Sequence, residues 1–225
     1  MRFTPTAIKD VWVIEPKVFE DPRGFFMETY RRDVFAAQGI DAEFVQVNHS
    51  QSVRNTLRGL HYQVGHPQGK LVRVLQGEVF DVVVDIRFGS PTFGRWIGEV
   101  LSAGNKKQLY APVGFAHGFC VLSAEAEFLY ACTDYYYPQG EKGIIWNDPD
   151  LGIPWPTPEP LLSEKDRRNP RFRDIARDFI YGAQAEDCRE ETTAQEKSKR
   201  PTSNVQRRIK NKERRTRNRL KRSAP

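Results

Sequence analysis

The sequence predicts an all-β protein, a sandwich or barrel, followed by a charged tail. Three observations point there. Short runs of β-branched and aromatic residues alternate with Gly- and Pro-containing turns. Apolar residues at helical spacing are scarce. The run Val79-Phe80-Asp81-Val82-Val83-Val84-Asp85-Ile86 is dense in β-formers on both faces, which places it between two layers or at a subunit contact.

The strands are expected in the following order. Residues 11–14 form the first. Asp21-Pro22-Arg23-Gly24 is turn chemistry, and Phe25 to Tyr30 returns as a strand. Tyr30 to Gln38 fits a short helix with Gly39 at its left-handed cap. Phe44 to Ser50 alternates, so Gln46, Asn48 and Ser50 share one face, either solvent surface or cavity lining. After a central stretch described below, Gln76-Gly77 turns into the Val79 strand, and Gly89 to Gly94 is loop. Strands follow at Trp96 to Leu101, Gln108 to Ala111, Phe115 to Leu122 and Glu127 to Thr133. Pro154, Pro156, Pro158 and Pro160 then space an extended connector. Ser163 fits the start of a helical turn, and a modest helix is expected at 171–179.

Composition divides the chain at about residue 183. Of 225 residues, 39% are hydrophobic, enough for a core, and every aromatic lies at or before Tyr181. Glu186 to Pro225 holds fourteen Lys and Arg against six Asp and Glu; that net +8 leaves −2 for residues 1–185 of the chain's +6. The basic balance therefore describes the tail alone. Residues 1–182 are read as one domain, and 183–225 as a tail too poor in apolar residues to offset the cost of ordering. A solvated tail is preferred to a nucleic-acid arm, because the run has no aromatic to stack on bases. No apolar stretch approaches a membrane span, and the first residues do not open a signal peptide. Three cysteines without close pairing argue against a disulfide framework and for the cytoplasm.

The central stretch carries the candidate chemistry. Arg58-Gly59-Leu60-His61-Tyr62-Gln63 and Gln68-Gly69-Lys70-Leu71-Val72-Arg73 place an arginine, a histidine and a lysine within thirteen positions, and strand-like alternation takes over at Leu71. Such a pocket suits an anionic substrate or a developing oxyanion; a satisfied core histidine and an edge lysine are the plainer alternative. A jelly-roll metal site wants histidines at i and i+2, but position 63 is Gln, and His117 alone would supply a distant ligand. Neither a phosphate loop nor a nucleophile elbow is present. Acid–base chemistry remains, with His61 as base, Asp81, Asp85 or Asp166 as its orienting carboxylate, Lys70 or Arg58 against an enolate, and Tyr130 as acid.

Several stretches resemble the dTDP-4-dehydrorhamnose 3,5-epimerase family, in order and over nearly all of residues 1–180. They include Asp21-Pro22-Arg23-Gly24-Phe25-Phe26-Met27-Glu28, Gln46-Val47-Asn48-His49-Ser50, Arg58-Gly59-Leu60-His61-Tyr62-Gln63, Pro112-Val113-Gly114-Phe115-Ala116-His117-Gly118-Phe119 and Leu162-Ser163-Glu164-Lys165-Asp166. The resemblance implies a cupin-like jelly roll, a homodimer, no metal and no cofactor. It implies inversion of C3 and C5 of a dTDP-4-keto-6-deoxyhexose, on the route to dTDP-L-rhamnose. His61 would be the base paired with Asp166, Lys70 would face the ketone oxygen, and Tyr130 would return a proton from the opposite face. Arg23, Glu28, Gln46, Asn48, Arg58, His117, Glu141 and Lys165 match positions that hold the nucleotide diphosphate and sugar. Tyr136 matches an aromatic that stacks on the base. A single-carbon epimerase or ketoisomerase shares the scaffold, and a non-catalytic sugar-binding cupin is the reading from a different class.

Overall fold

A computed structural model describes residues 1–182; the expectations for residues 183–225, including disorder and nucleic-acid binding, lie outside the described residues. Among the described residues, thirteen strands build the fold, almost without helix. Six form one antiparallel sheet in the order β1 (Arg2–Pro5), β2 (Trp12–Glu15), β10 (Gln108–Ala111), β7 (Lys70–Gln76), β12 (Glu125–Cys132), β5 (Gln46–Val53). Five form the other, in the order β13 (Glu141–Gly143), β6 (Leu57–Gln63), β11 (Phe115–Val121), β8 (Glu78–Asp85), β9 (Trp96–Ser102). The remaining pair, β3 (Val18–Asp21) and β4 (Gly24–Met27), makes a separate hairpin. The architecture is a cupin-like jelly roll.

Alternation along the strands sorts side chains into three cores. Between the sheets lie Val72, Val74, Leu109 and Phe128 from one, and Val79, Val83, Phe115 and Phe119 from the other. The outer face of the five-stranded sheet offers Leu60, Tyr62, Val82, Val84 and Ala116, covered by Ile144, Leu151 and Phe179, with Trp155 and Phe172 packed alongside. The outer face of the six-stranded sheet buries Ile14, Leu71 and Tyr110 under Phe35 and Ile40. Strand β8 is thus apolar on both faces because layers of its own chain cover both. Of the two explanations for residues 79–86, placement between layers holds, and this run gives no support to a subunit contact.

Other differences are local. Strands β1, β3 and β13 were not expected, because Arg2–Pro5, Val18–Asp21 and Glu141–Gly143 are too short and too polar to show alternation. The early helix, α1, is only Arg32–Ala36, with Gly39 beyond it at φ +82°. No helix forms at 171–179; only a 3-10 turn at Phe172–Asp174 appears, since this segment earns its place by packing Phe172, Ile175 and Phe179 onto the five-stranded sheet. Among the described residues, no helix is long and apolar enough to cross a membrane.

Candidate active site

The space between the sheets opens at one end into a cavity of about 450 Å3, and both sheets line it. His61 on β6 and His117 on β11 are direct register partners, so their side chains leave the five-stranded sheet on the same, inward face. Facing them, the six-stranded sheet contributes Lys70 on β7, Tyr130 on β12, and Gln46, Asn48 and Ser50 on β5. The polar alternation of β5 is therefore cavity lining, which settles the choice left open by the sequence. Tyr130 is the register partner of Asn48.

Each carboxylate considered for His61 has its own place. Asp166 Oδ1 lies 2.5 Å from His61 Nε2, brought across 105 residues by a 3-10 turn at Asp166–Arg168. Ser163 sets that turn by accepting the Asp166 N–H through Oγ at 3.1 Å. Burial works to raise the Asp166 carboxyl, but the hydrogen bond and charge of His61, with Ser163 and Lys165, hold it below the usual carboxylate range. Asp81 bonds instead to His117, whose Nε2 is 3.0 Å from both carboxylate oxygens. Asp85 is outside the cavity; it accepts from Arg87 Nη2 at 2.9 Å, Ser90 Oγ at 2.6 Å and Thr92 Oγ1 at 2.7 Å.

The two other groups suited to proton or charge chemistry sit in the opposite wall. Burial pushes the Tyr130 phenol up, helped by Cys132 and opposed by Arg58, so it is a protonated donor at neutral pH. Lys70 is lowered by burial, while Cys132, Asp81 and Glu141 favour its charged form. Half-buried at the cavity wall, this lysine can offer positive charge to an anion or oxyanion bound there.

Most remaining candidates line the mouth. Arg58 Nε donates to Ser52 Oγ at 3.0 Å, and Gln46 Nε2 to Asn48 Oδ1 at 3.0 Å. Tyr136 donates its hydroxyl to Glu141 Oε2 at 2.8 Å, and Glu141 also pairs with Lys165. Two candidates are elsewhere. Arg23 sits at the exposed tip of the β3–β4 hairpin, its Nη2 2.6 Å from Asp21 Oδ2, and Glu28 lies 3.6 Å from Arg31 just beyond that hairpin. Neither lines the cavity of its own chain.

Gln63, the residue that weakened the metal reading, ties loops together. Its Nε2 donates to the carbonyls of His66 and Tyr135, and its Oε1 accepts from the Tyr137 N–H at 2.8 Å. Among the described residues, no three His, Cys, Asp or Glu side chains group as a metal site. Phe119 and Phe128, stacked with centroids 4.1 Å apart, were missed as lining residues because in sequence they look like core, which they also are. Asp81 was considered only for His61; its tie to His117 follows from sheet pairing that one strand cannot reveal.

Comparison with known proteins identifies the family. The family model described as dTDP-4-dehydrorhamnose 3,5-epimerase matches residues 5–174. A dTDP-4-dehydrorhamnose 3,5-epimerase from Pseudomonas aeruginosa is 58% identical over 176 residues, covering 77% of this chain and 97% of that protein. A dTDP-4-dehydrorhamnose 3-epimerase from Streptomyces niveus is 44% identical over 169 residues, covering 74% of this chain and 82% of that protein. Among solved structures, a dTDP-6-deoxy-D-glucose-3,5-epimerase from Legionella pneumophila, in complex with dTDP-4-keto-L-rhamnose, superposes with a TM-score of 0.78. It is 49% identical, and the match covers 82% of this chain and 99% of that one. The chain belongs to the dTDP-4-dehydrorhamnose 3,5-epimerase family.

Proposed function

We propose that the protein inverts C3 and C5 of dTDP-4-dehydro-6-deoxy-D-glucose to give dTDP-4-dehydro-L-rhamnose, in the formation of dTDP-L-rhamnose. The C4 ketone acidifies the protons on both neighbouring carbons. His61 takes a proton from one of them, and Asp166 steadies the imidazolium that results. The electron pair left on carbon moves into the ketone as an enolate, whose oxygen faces Lys70. Tyr130 then gives a proton to the opposite face of that carbon, so removal and return together invert it. No electrons leave the substrate, and no cofactor is needed.

One observation carries this activity: His61 and Tyr130 stand on facing sheets, so base and acid reach the cavity from opposite walls. Gln46, Asn48, Arg58, His117, Glu141 and Lys165 are assigned to the diphosphate and sugar, and Tyr136 to the nucleotide base. Arg23 and Glu28 fit the same substrate if a second copy delivers them, as in a homodimer. Their hairpin exposes Phe19, Phe25 and Phe26 by 52%, 57% and 70%, a patch suited to burial against another chain. The free, buried thiols of Cys120 and Cys132 fit the reducing cytoplasm.

The Streptomyces niveus relative, named as a 3-epimerase, supports a second reading in which only one carbon is inverted. Incubation with the dTDP-4-keto sugar in deuterium oxide separates them. Deuterium at both C3 and C5 with inversion at both supports the main reading. Deuterium at one carbon supports the second, and none rejects both.

A further inference from the structure

Beyond Cys132 the chain leaves β12 and reaches a 3-10 turn at Pro138–Gly140 without joining a sheet. Tyr135 and Tyr136 in that span are 64% and 53% exposed, so their rings do little to anchor it. Three glutamines from different places hold its peptide groups. Gln68 Nε2 donates to the Asp134 carbonyl at 2.8 Å. Gln46 Oε1, on β5 of the six-stranded sheet, accepts the Tyr136 N–H at 2.8 Å. Gln63, at the end of β6 in the five-stranded sheet, donates to the Tyr135 carbonyl at 2.9 Å and accepts the Tyr137 N–H at 2.8 Å. It thus grips the peptides on both sides of Tyr136.

Gln63 is 5% exposed and its carboxamide is fully used, the second amide proton going to the His66 carbonyl. The His66 ring packs edge-on against Tyr137, with centroids 5.0 Å apart. Tyr136 is tied at its far end too, through its hydroxyl to Glu141, the register partner of Gln63 on β13. None of the Gln63 bonds reaches His61, Lys70, Tyr130 or Asp166. We infer that Gln63 is a positioning residue for the nucleotide end of the site: its carboxamide fixes the backbone around Tyr136, so the ring is in place before a nucleotide arrives. This rests on the assignment of Tyr136 to the base of a dTDP-sugar.

Without the carboxamide, the Tyr135 and His66 carbonyls and the Tyr137 N–H lose a partner, and the span around Tyr136 is free to take other conformations. Apparent affinity falls with the fraction of molecules whose ring remains placed; about one in ten makes binding about tenfold weaker. Chemistry on bound sugar is spared, because the proton-transfer groups are held by other bonds. Losing this residue therefore raises KM and leaves kcat, the signature of binding shared by ground and transition states.

The test measures dTDP binding by calorimetry, and kcat and KM on the dTDP-4-keto sugar, for wild type, Gln63→Met, Tyr136→Ala and the double variant. Methionine keeps the length of the side chain and removes its hydrogen bonds. Gln63→Met is expected to weaken dTDP binding and raise KM at least about tenfold, with kcat within about twofold of wild type. Added to Tyr136→Ala, it should weaken dTDP binding by less than about twofold, because the ring through which it acts is gone. Gln63→Leu is read in the same way should Gln63→Met not fold. Wild-type dTDP affinity in the Gln63 variant, with Tyr136→Ala weakened, overturns the inference alone. So does the full loss repeated on Tyr136→Ala, a fall in kcat with KM unchanged, or failure of both Gln63 variants to fold. Tyr136→Ala that binds dTDP as wild type does sinks the assignment of Tyr136 and this inference with it. Wild type that does not bind dTDP sinks the functional assignment itself.

Discussion

His61 and His117 are register partners across the β6–β11 pair, and each bonds a different carboxylate through Nε2: Asp166 at 2.5 Å and Asp81 at 3.0 Å. The two dyads differ in solvent access. The His61 side chain is 28% exposed and that of His117 only 8%. A base that meets substrate must be reachable, so the exposed dyad is the one suited to proton abstraction, and the buried one to holding a fixed ring.

Replacing His61 with Asn should therefore remove deuterium exchange at both C3 and C5 while dTDP binding survives. Losing a general base costs about 10²–10⁴-fold. Calorimetric titration with dTDP, run beside the exchange assay, separates chemistry from binding; exchange at the wild-type rate in His61→Asn would remove the base from the mechanism.

Acid stability is set by carboxylates held low. Asp85 and Asp166 both fall below their ordinary 3.8, Asp85 because Arg87, Ser90 and Thr92 outweigh its burial. A carboxyl lowered in the folded state stabilises above its unfolded value and loses that contribution as pH falls through its folded value. These two groups should leave the melting temperature level from neutrality down to about pH 4, then let it drop. Asp85→Asn should cost about 3 kcal/mol at neutral pH by breaking a buried charge pair. Denaturant unfolding checks the second figure; a loss under about 1 kcal/mol would show Asp85 to be dispensable.

The turn at Gln76-Gly77, visible in the sequence, has a specific geometric demand. Gly77 has φ +76°, and a Cβ there would lie 2.1 Å from the Glu125 carbonyl oxygen. Gly77→Ala should cost at least about 2 kcal/mol, combining left-handed strain with a backbone clash. A melting temperature equal to wild type would contradict this.

Much of the fold was legible because alternation is strong where both faces matter. Strand β5 and strands β7 to β12 carry enough Val, Phe and Leu to announce themselves, and the Gly and Pro residues between them mark their ends, whereas β6, LRGLHYQ, has no such run. Strands β1 and β3 were not legible, since four residues with mostly exposed side chains give no pattern. The site was legible in its residue types, and in its pairings only through resemblance. Asp81, Asp85 and Asp166 were equal candidates for His61, because sequence does not show which carboxylate 20, 24 or 105 residues away will fold against it. Arg23 and Glu28 were grouped with the cavity, yet their own chain holds them on and beside a hairpin outside it.

Truncation after Gly182 should leave turnover and melting temperature unchanged, since it keeps Phe179 in the outer core and the Tyr181 hydrogen bond to Phe88. Cutting before Phe179 should not be tolerated. Phe88 N–H donates to the Phe179 carbonyl at 2.7 Å, Tyr181 N–H to the Phe88 carbonyl at 2.9 Å, and Phe179 is buried in the outer core. Equal stability of both truncations would show that this closing segment contributes nothing.

Delivery from opposite walls is tested most directly in Tyr130→Phe. The substitution removes one hydroxyl and keeps the ring beside Phe128. With His61 intact, the variant incubated with the dTDP-4-keto sugar in deuterium oxide should still exchange protons, while inversion falls sharply. The two are read from one sample by proton NMR, as lost C3 and C5 signals and as changed ring couplings. Exchange retained with inversion lost is the predicted result; exchange and inversion lost in equal measure, or both retained, would contradict Tyr130 as the acid on the far wall.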